Sequence, residues 1–341
     1  SQYQLPPSRV LLCATHTHSS PQIMERASYY GQPDEQYIAE LTEKSKVLIN
    51  NLIENPEPAE ITFRRTQSSW NGIINRNKVC RNLFTGRRQC IHSPNPAATH
   101  KHHFDMITCR NASGNIKAMI VKLACHPVFH KRNRFSADFP GYLRQLIHQK
   151  TGQEFPIIFL QGFAGDLRPN YPADSLREKI THIVSDKTFH PPFARDVENK
   201  IAGFSKNILR RLPFDRREIL IDNATRKSTA SIYVENPWED VTDLNTECNL
   251  QVQRIDLANE LSLCAVNGEV FAIYASILKK IEQDTNKTII PVGYANGMLG
   301  YLPDSTMIEL KGGYEYKSWK NFGLPRPFNK ILKKTIINAV R

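Results

Sequence analysis

Apolar and polar residues alternate along this chain in blocks that predict both strands and helices. The first block, 8–14, is short and mostly apolar, which predicts a buried strand that leads into a loop. Apolar residues three or four positions apart predict a helix over 35–55, which Pro56 and Pro58 would end. The same two patterns predict further strands at 61–66, 106–109, 116–124, 155–160, 218–221, 250–256, 261–266 and 288–292, and further helices at 139–150, 193–212, 270–284 and the end of the chain.

Two segments lack a regular pattern. Residues 68–93 are polar and rich in Asn and Arg, and 171–192 carries prolines near both ends, which predicts an irregular excursion. The sequence has no internal repeat and no linker-like stretch. The order of strands and helices therefore predicts one large α/β domain over 1–341, with mixed β-sheets flanked by helices.

The composition is that of a globular protein, with 40% hydrophobic and 23% charged residues. No apolar run approaches the roughly 18–20 residues of a membrane span. The net charge is +12, but the basic residues form small scattered groups rather than one dense patch or a nucleic-acid-binding motif. We therefore expect no nucleic acid partner, whereas peripheral contact with an anionic membrane surface stays open.

The seven cysteines form no Cys-x-x-Cys pair, which argues against a structural zinc ribbon. Cys13, Cys125 and Cys264 lie in apolar runs and are expected in the core. Cys80 and Cys90 flank a basic loop and could form a disulfide in an oxidising compartment. The cysteine pattern leaves the compartment open.

The most informative local pattern is a pair of histidines one residue apart, His16 and His18, which follow the first predicted strand. Side chains two residues apart point the same way only where the backbone is extended. Such a pair is either a metal site or two solvated loop residues. Three other predicted strands also end next to a metal-capable group: His126, Asp166 and Glu269.

In an α/β sheet, strand ends that point the same way meet in space even when they are far apart in sequence. Two histidines and a carboxylate with one open position are what a hydrolytic zinc site needs. Taken singly, His126 before Pro127 reads as structural, and Glu269 as a surface or helix-capping carboxylate. Their recurrence at strand ends favours the zinc site.

These segments resemble the motifs of the neutral/alkaline (non-lysosomal) ceramidase family, in the family's order. Seven short motifs spanning residues 14 to 315 carry the resemblance: Ala14-Thr15-His16-Thr17-His18-Ser19-Ser20-Pro21, Asn75-Arg76, Cys125-His126-Pro127-Val128, Gly165-Asp166-Leu167-Arg168-Pro169-Asn170, Asn267-Gly268-Glu269-Val270-Phe271, Tyr294-Ala295-Asn296-Gly297-Met298-Leu299-Gly300-Tyr301 and Gly312-Gly313-Tyr314-Glu315.

The resemblance implies one Zn²⁺ held by His16, His126, Glu269 and Tyr301. It also implies that His18 and Arg76 face the substrate carbonyl or its oxyanion. From the residues alone, Tyr301 would be read as a core or substrate-lining aromatic. The family resemblance further implies a small-molecule or lipid-like substrate and a secreted or extracytoplasmic location.

The chain departs from the family pattern in three ways. It begins close to the His-x-His segment, so an N-terminal part is expected to be missing. It ends soon after the last of these motifs, so we expect it to lack the immunoglobulin-like C-terminal domain of the family. Arg168 stands where the ceramidase loop has its active-site serine. A guanidinium cannot shuttle a proton at neutral pH, but it can clamp a carboxylate or phosphate, which points to a polar or anionic substrate.

The sequence therefore predicts a zinc-dependent hydrolase that cleaves an amide or ester bond with a metal-activated water. The catalytic group would comprise His18, Arg76, Asp166 and Arg168, with Asp166 or His18 handling the proton. A true ceramidase is one alternative. A catalytically silent relative that binds zinc and a polar glycan or lipid headgroup is the other.

Overall fold

The computed structural model describes residues 5–98, 101–130, 135–170, 197–221, 229–238, 241, 248–258 and 260–340. Within these ranges the chain folds into strands and helices that confirm an α/β domain with mixed sheets. The helices are α1 (Glu35–Glu54), α2 (Asp138–Thr151), α3 (Val197–Leu209), α4 (Ile273–Thr285), α5 (Ser305–Leu310), α6 (Tyr314–Lys317) and α7 (Ile331–Val340). The strands are β1 (Glu60–Ser68), β2 (Ile73–Arg81), β3 (Arg88–Asn95), β4 (His102–Arg110), β5 (Ile116–Leu123), β6 (Ile157–Gln161), β7 (Leu167–Pro169), β8 (Ile219–Ile221), β9 (Ala230–Glu235), β10 (Leu250–Ala258), β11 (Leu261–Val266), β12 (Glu269–Val270), β13 (Thr288–Val292) and β14 (Tyr301–Leu302).

Two larger sheets form the frame of the described chain. One has the order β6-β5-β4-β1-β8, in which only β5 and β6 run parallel. The other has the order β13-β11-β10-β9, in which only β11 and β13 run parallel. Phe63 and Ile107 of the first sheet share an apolar cluster with Leu263, Ile290 and neighbouring residues of the second. The two sheets are therefore packed on one another, with apolar burial as the main stabilising force.

Two smaller sheets bring the candidate residues together. β12 pairs in parallel with β14, and this register places Glu269 beside Tyr301. β2 lies between β3 and β7, with Ile74 opposite Arg168. A Cβ on Gly165 would lie 2.2 Å from the carbonyl oxygen of Glu269. Only glycine therefore allows the 165–166 loop to approach β12 this closely.

The prediction of a first strand over 8–14 is wrong. Residues 7–9 form a 3-10 turn, and only Cys13 makes a bridge, to Ala295. Leu12 is 65% exposed, while its backbone N–H donates to the Asn296 side chain. This run satisfies its polar groups through loop contacts, so its apolar composition does not make it a sheet strand.

One hairpin and one further strand depart from the other predictions. The polar segment 68–93, for which no strand was predicted, contains most of the β2–β3 hairpin, and β9 was not predicted either. The excursion predicted at 171–192 lies outside the described residues. The helix predicted at 193–212 is confirmed over Val197–Leu209. None of the seven cysteines, all of which lie among the described residues, forms a disulfide. The hairpin register places Cys80 opposite Gln89 and Cys90 opposite Val79.

An ion cluster joins the first sheet to helix α4. Asp105 on β4 accepts from Arg65 on β1, at 2.5 Å, and pairs with Lys122 on β5, at 2.9 Å. Arg65 also reaches Glu282 of α4, at 2.8 Å. Asp105 is 1% exposed, and although burial opposes its charge, Lys122 and Arg65 lower the pKa of its carboxyl to about 2. The cluster thus favours the folded chain wherever Asp105 is ionised.

This cluster predicts a loss of stability in acid. The folded pKa of Asp105 lies below that of an unfolded aspartate, near 3.9, so its contribution is complete above about pH 4 and is lost between about pH 4 and pH 2. The difference amounts to about 2 kcal/mol. Urea unfolding from pH 6 down to pH 3 should show a shallower fall for Asp105→Asn than for the wild type. The exposed Asp215→Asn is the control, and equal slopes for all three proteins would contradict the prediction.

Candidate functional site

Three histidines and one glutamate meet where the smaller sheets approach the 14–18 loop. The Nε2 atom of His126 lies 3.1 Å from Oε2 of Glu269, and Nε2 of His16 lies 3.4 Å from the same oxygen. Nε2 of His18 lies 3.2 Å from Nε2 of His16. The imidazole ligand atoms of His16, His18 and His126 all fall within 4.8 Å of one another. The structure thus brings together residues that are up to 253 positions apart, from His16 to Glu269.

The backbone around His16 is held in an unusual conformation. His16 has a φ of 64°, a region that non-glycine residues seldom occupy, and Tyr294 has a φ of 57°. The N–H of Ala14 donates to the Tyr294 carbonyl at 3.1 Å, and the His18 N–H donates to the Pro127 carbonyl at 3.4 Å. These contacts turn the imidazole of His16 toward Glu269, although the loop is not a strand. Strain of this kind is common at functional sites.

The contacts of His126 define which of its nitrogens is free to bind. Its Nδ1 lies 2.8 Å from the carbonyl oxygen of Ala164 and 2.9 Å from that of Leu167. Because both neighbours only accept, Nδ1 carries the proton and the Nε2 lone pair faces Glu269. Burial lowers the pKa of His126 to about 4, with Arg76 acting in the same direction. The imidazole is therefore neutral at pH 7, as a metal ligand must be.

The electrostatics of the cluster favour a bound cation. A neutral imidazole lone pair and a carboxylate oxygen 3.1 Å apart are two acceptors without a proton between them. Burial opposes the charge of Glu269, but the surrounding imidazoles outweigh it and lower its pKa well below 4.5. Ligands on bonds of about 2.0–2.1 Å in a tetrahedron lie about 3.3–3.4 Å apart, close to the separations seen here. The donor set therefore fits Zn²⁺.

His18 is the exposed member of the group. Part of the residue is exposed, but its ring packs against the rings of His16 and His126. Loss of hydration at the ring, followed by the electrostatic influence of those two imidazoles, lowers the pKa of His18 well below 6.5. Its Nε2 belongs to the same group of ligand atoms as those of His16 and His126. His18 can therefore act as a ligand or face a substrate, whereas the family resemblance gave it only the second role.

Arg76 is buried and makes three polar contacts within the protein. Its Nε donates to Glu315 at 2.8 Å, and its Nη2 donates to the Gly165 carbonyl at 2.8 Å and to the Tyr301 hydroxyl oxygen at 3.0 Å. Burial opposes its charge, yet Tyr301 and Glu315 raise the pKa of Arg76 well above its usual value. The guanidinium is thus a fixed positive charge that orients the Tyr301 hydroxyl.

Tyr301 is buried next to Glu269, as the β12–β14 register requires. Burial, followed by the charge of Glu269, raises the pKa of its hydroxyl well above 10. Without a cation the hydroxyl is therefore neutral and can donate a hydrogen bond while it accepts one from Arg76. Both a ligand role and a donor role are compatible with this position.

Asp166 and Arg168 occupy the loop and strand next to the cluster. The Asp166 carboxylate accepts from the Asn75 amide and from the Ala272 N–H, just before helix α4. Burial raises its pKa to about 7, against the donation from Ala272. Arg168 is 6% exposed on β7, and its Nη1 donates to the carbonyl of Pro169 at 3.1 Å. Asp166 therefore ties β2 to the start of α4. Arg168 directly follows Leu167, whose carbonyl oxygen orients His126.

Three residues at the site were not assigned a role from sequence. The Tyr294 hydroxyl donates to Glu269 Oε2 at 3.4 Å, and its ring lies 4.3 Å from that of His16. Glu315 pairs with Arg76, and Asn75 with Asp166. All three lie inside the motifs quoted above, so motif membership was the available signal. Their partners could be identified only once the fold was known.

No protein-family model matches the chain, and no curated protein matches it by sequence. Among solved structures, the neutral ceramidase from Pseudomonas aeruginosa matches with a TM-score of 0.65 and 13% identity over 97% of this chain and 60% of that one. A ceramidase complexed with C2 matches with a TM-score of 0.69 and 12% identity, over the same two shares. The chain thus spans about 60% of the length of these solved chains. At this identity the likeness establishes the architecture, and the structure of this chain is a neutral ceramidase-like fold.

Proposed function

We propose that this protein is a zinc-dependent hydrolase that cleaves an amide or ester bond. The observation that carries the proposal is the convergence of the His16, His126 and Glu269 ligand atoms, with the His126 lone pair aimed at the carboxylate. His18 or Tyr301 completes the shell, as the distances around His16 and the β12–β14 register support. Bound there, zinc would polarise a carbonyl and lower the pKa of a water to about 7.

The chain's own residues then have separate tasks. The Tyr301 hydroxyl accepts from Arg76, so its own proton can point toward a substrate oxygen on which negative charge develops. If Tyr301 were instead to hold the metal, the Arg76 charge would stabilise its phenolate oxygen. Arg76 is in either case a positioning residue, because its buried contacts lie within the protein.

In the arrangement in which Tyr301 completes the shell, proton transfer is assigned to His18. Both carboxylate oxygens of Asp166 already accept hydrogen bonds from Asn75 and Ala272, which makes Asp166 a poor shuttle. His18 is exposed and has its pKa lowered, so its imidazole is neutral and can accept a proton from a nucleophilic water and return it to a leaving group. We propose that Asp166 acts as a positioning residue that fixes the 165–168 loop against α4.

The substrate class follows from the fold and from Arg168. The neutral ceramidase-like fold supports a lipid-like amide, and a guanidinium in place of a serine favours a substrate with a carboxylate or phosphate. The solved relatives' own substrate is therefore one member of the test panel rather than the conclusion. An extracytoplasmic location stays a prediction, and none of the helices in the described part of the chain is long and apolar enough to cross a membrane.

The test is turnover of a defined panel by the zinc-loaded protein. The panel contains a short-chain ceramide, an N-acyl amino acid and an aryl ester. Hydrolysis of each is measured as release of the amine or alcohol. We expect hydrolysis of at least one, abolished by a chelator and restored by Zn²⁺. Preference for the N-acyl amino acid that is lost in Arg168→Gln would place the carboxylate at Arg168. Zinc binding without turnover of any compound would instead favour the silent relative.

A further inference from the structure

Two large apolar side chains stand in solvent at the tip of the β2–β3 hairpin. Leu83 is 94% exposed and Phe84 is 98% exposed, more than any other large apolar residue in the described chain. Adjacent side chains of this size are normally withdrawn from water in a folded protein. Their position at the end of an arm makes them available to a partner.

Hydrogen bonds within the loop define the conformation of the tip. The Asn82 side chain accepts from the N–H groups of Phe84, at 2.9 Å, and Thr85, at 3.0 Å. The Asn82 N–H donates to the Arg87 carbonyl at 2.8 Å, and Gly86 provides the φ of 66° that the turn needs. The backbone is thus satisfied within the loop while Leu83 and Phe84 point outward. Their exposure is a property of the turn's geometry.

The strands that lead to the tip are basic. Lys78, Arg81, Arg87 and Arg88 are all exposed, and they lie within six positions of Phe84. Residues 61–104 contain no Asp or Glu at all, so no carboxylate from this segment offsets them. An apolar tip surrounded by cations matches the interface of an anionic bilayer, in which phosphates lie directly above the acyl chains.

The same hairpin supplies two residues next to the candidate site. Asn75 and Arg76 lie in the first half of β2, and Arg81 ends the strand five residues later. Five residues of strand span about 17 Å, so one continuous arm links the buried Arg76 network to the exposed tip. A surface that holds the tip would therefore lie within a short distance of the Arg76 network that adjoins the candidate site.

We propose that the 82–87 tip docks this protein on an anionic lipid bilayer. Leu83 and Phe84 enter the boundary between headgroups and acyl chains, and Lys78, Arg81, Arg87 and Arg88 contact lipid phosphates. A nucleic acid would also attract the four cations, but Leu83 has no ring on which a base could stack, so the lipid surface accounts for more of the tip. The inference does not depend on the reaction proposed above.

The apolar part is tested by sedimentation with vesicles of phosphatidylcholine alone or with about a third phosphatidylserine, a composition with a strong surface potential. We expect the full chain to sediment with the anionic vesicles. The double variant Leu83→Ser/Phe84→Ser should bind about tenfold more weakly, because two inserted side chains are removed. The matched control is Leu48→Ser/Leu52→Ser on α1, whose side chains are 59% and 64% exposed. This control should bind as the wild type does.

The basic part is tested with Arg87→Gln/Arg88→Gln against Arg216→Gln/Arg217→Gln, an exposed pair outside the hairpin. The first variant should lose at least about tenfold in binding to anionic vesicles, and raising the salt should have the same effect on the wild type. The control pair should lose much less. Phe84→Trp should also become quenched by brominated acyl chains, beyond the signal of the native tryptophans.

Three outcomes would overturn the proposal. The wild type could stay in the supernatant with anionic vesicles, or the tip variants could sediment as fully as the controls. Alternatively, a single-stranded oligonucleotide could bind with a dependence on Arg87 and Arg88 while the vesicles do not, which would assign the tip to nucleic acid. Loss of hydrolysis with intact vesicle binding would count only against the proposed reaction.

Discussion

His126→Ala is expected to lose bound zinc and to slow hydrolysis on the order of a thousandfold, about 4 kcal/mol of transition-state stabilisation. His126 is completely buried, and its Nε2 is the ligand atom whose orientation the structure fixes most firmly, through the Ala164 and Leu167 carbonyls. The alanine variant lacks that ligand atom, and no neighbouring side chain can take its place. Metal content after dialysis and turnover of the best panel substrate measure the two effects.

A second variant and a control separate metal loss from misfolding. Glu269→Gln keeps the shape of the buried side chain but removes the charge next to His16 and His126, so it should also lower zinc affinity while the chain stays folded. His148→Ala removes another histidine that contacts a backbone carbonyl, that of Phe155, outside the cluster. We expect it to keep its zinc. Zinc retained by both His126→Ala and Glu269→Gln would show that the metal lies elsewhere.

Arg76→Met is expected to destabilise the folded chain by about 3–5 kcal/mol, because it leaves Glu315 charged and buried without its partner. Glu315 is 2% exposed and its Oε1 accepts from Arg76 Nε at 2.8 Å. The double variant Arg76→Met/Glu315→Gln removes the stranded charge and should recover most of the loss. Urea unfolding of the two single variants and the double variant gives the coupling energy.

Activity should not recover with stability in that double variant. The Tyr301 hydroxyl still lacks the donor at 3.0 Å that orients it, so turnover should stay low after folding is restored. Arg254→Met is the control, since Arg254 pairs with Asp256 at a partly exposed position where such a pair contributes about 1 kcal/mol or less. Equal losses of stability for Arg76→Met and Arg254→Met would contradict the account of the buried pair.

The sequence was most informative where burial follows a simple period. Helix α1 begins after Asp34, whose side chain accepts from the Tyr37 N–H, and ends just before Pro56, as predicted. The apolar runs over β5 and β11 predicted strands, and the structure has strands there that contribute to the core. The β2–β3 hairpin escaped prediction because its residues are mostly polar, and its pairing depends on partners far away in sequence, such as β7.

The candidate site shows the same division. The proximity of His16, His126 and Glu269 was predicted from strand ends and motif order, and the structure does bring them together. The reason given for His16 was nevertheless wrong, since its direction comes from a positive φ and loop hydrogen bonds instead of a strand. The Arg76–Glu315 pair spans 239 residues, and no local pattern reports such a contact.

X-ray absorption spectroscopy at the zinc edge tests the central claim most directly. The purified protein is first loaded with zinc and then dialysed to remove the unbound metal. The account predicts one zinc per chain, bound only by nitrogen and oxygen at about 2.0–2.2 Å, because the ligand atoms come from imidazoles, a carboxylate and either a phenol or a third imidazole. The same spectrum should be lost in His126→Ala. A chain without zinc, or zinc with sulfur ligands at about 2.3 Å, would contradict the assignment of the His16–His126–Glu269 cluster as the metal site.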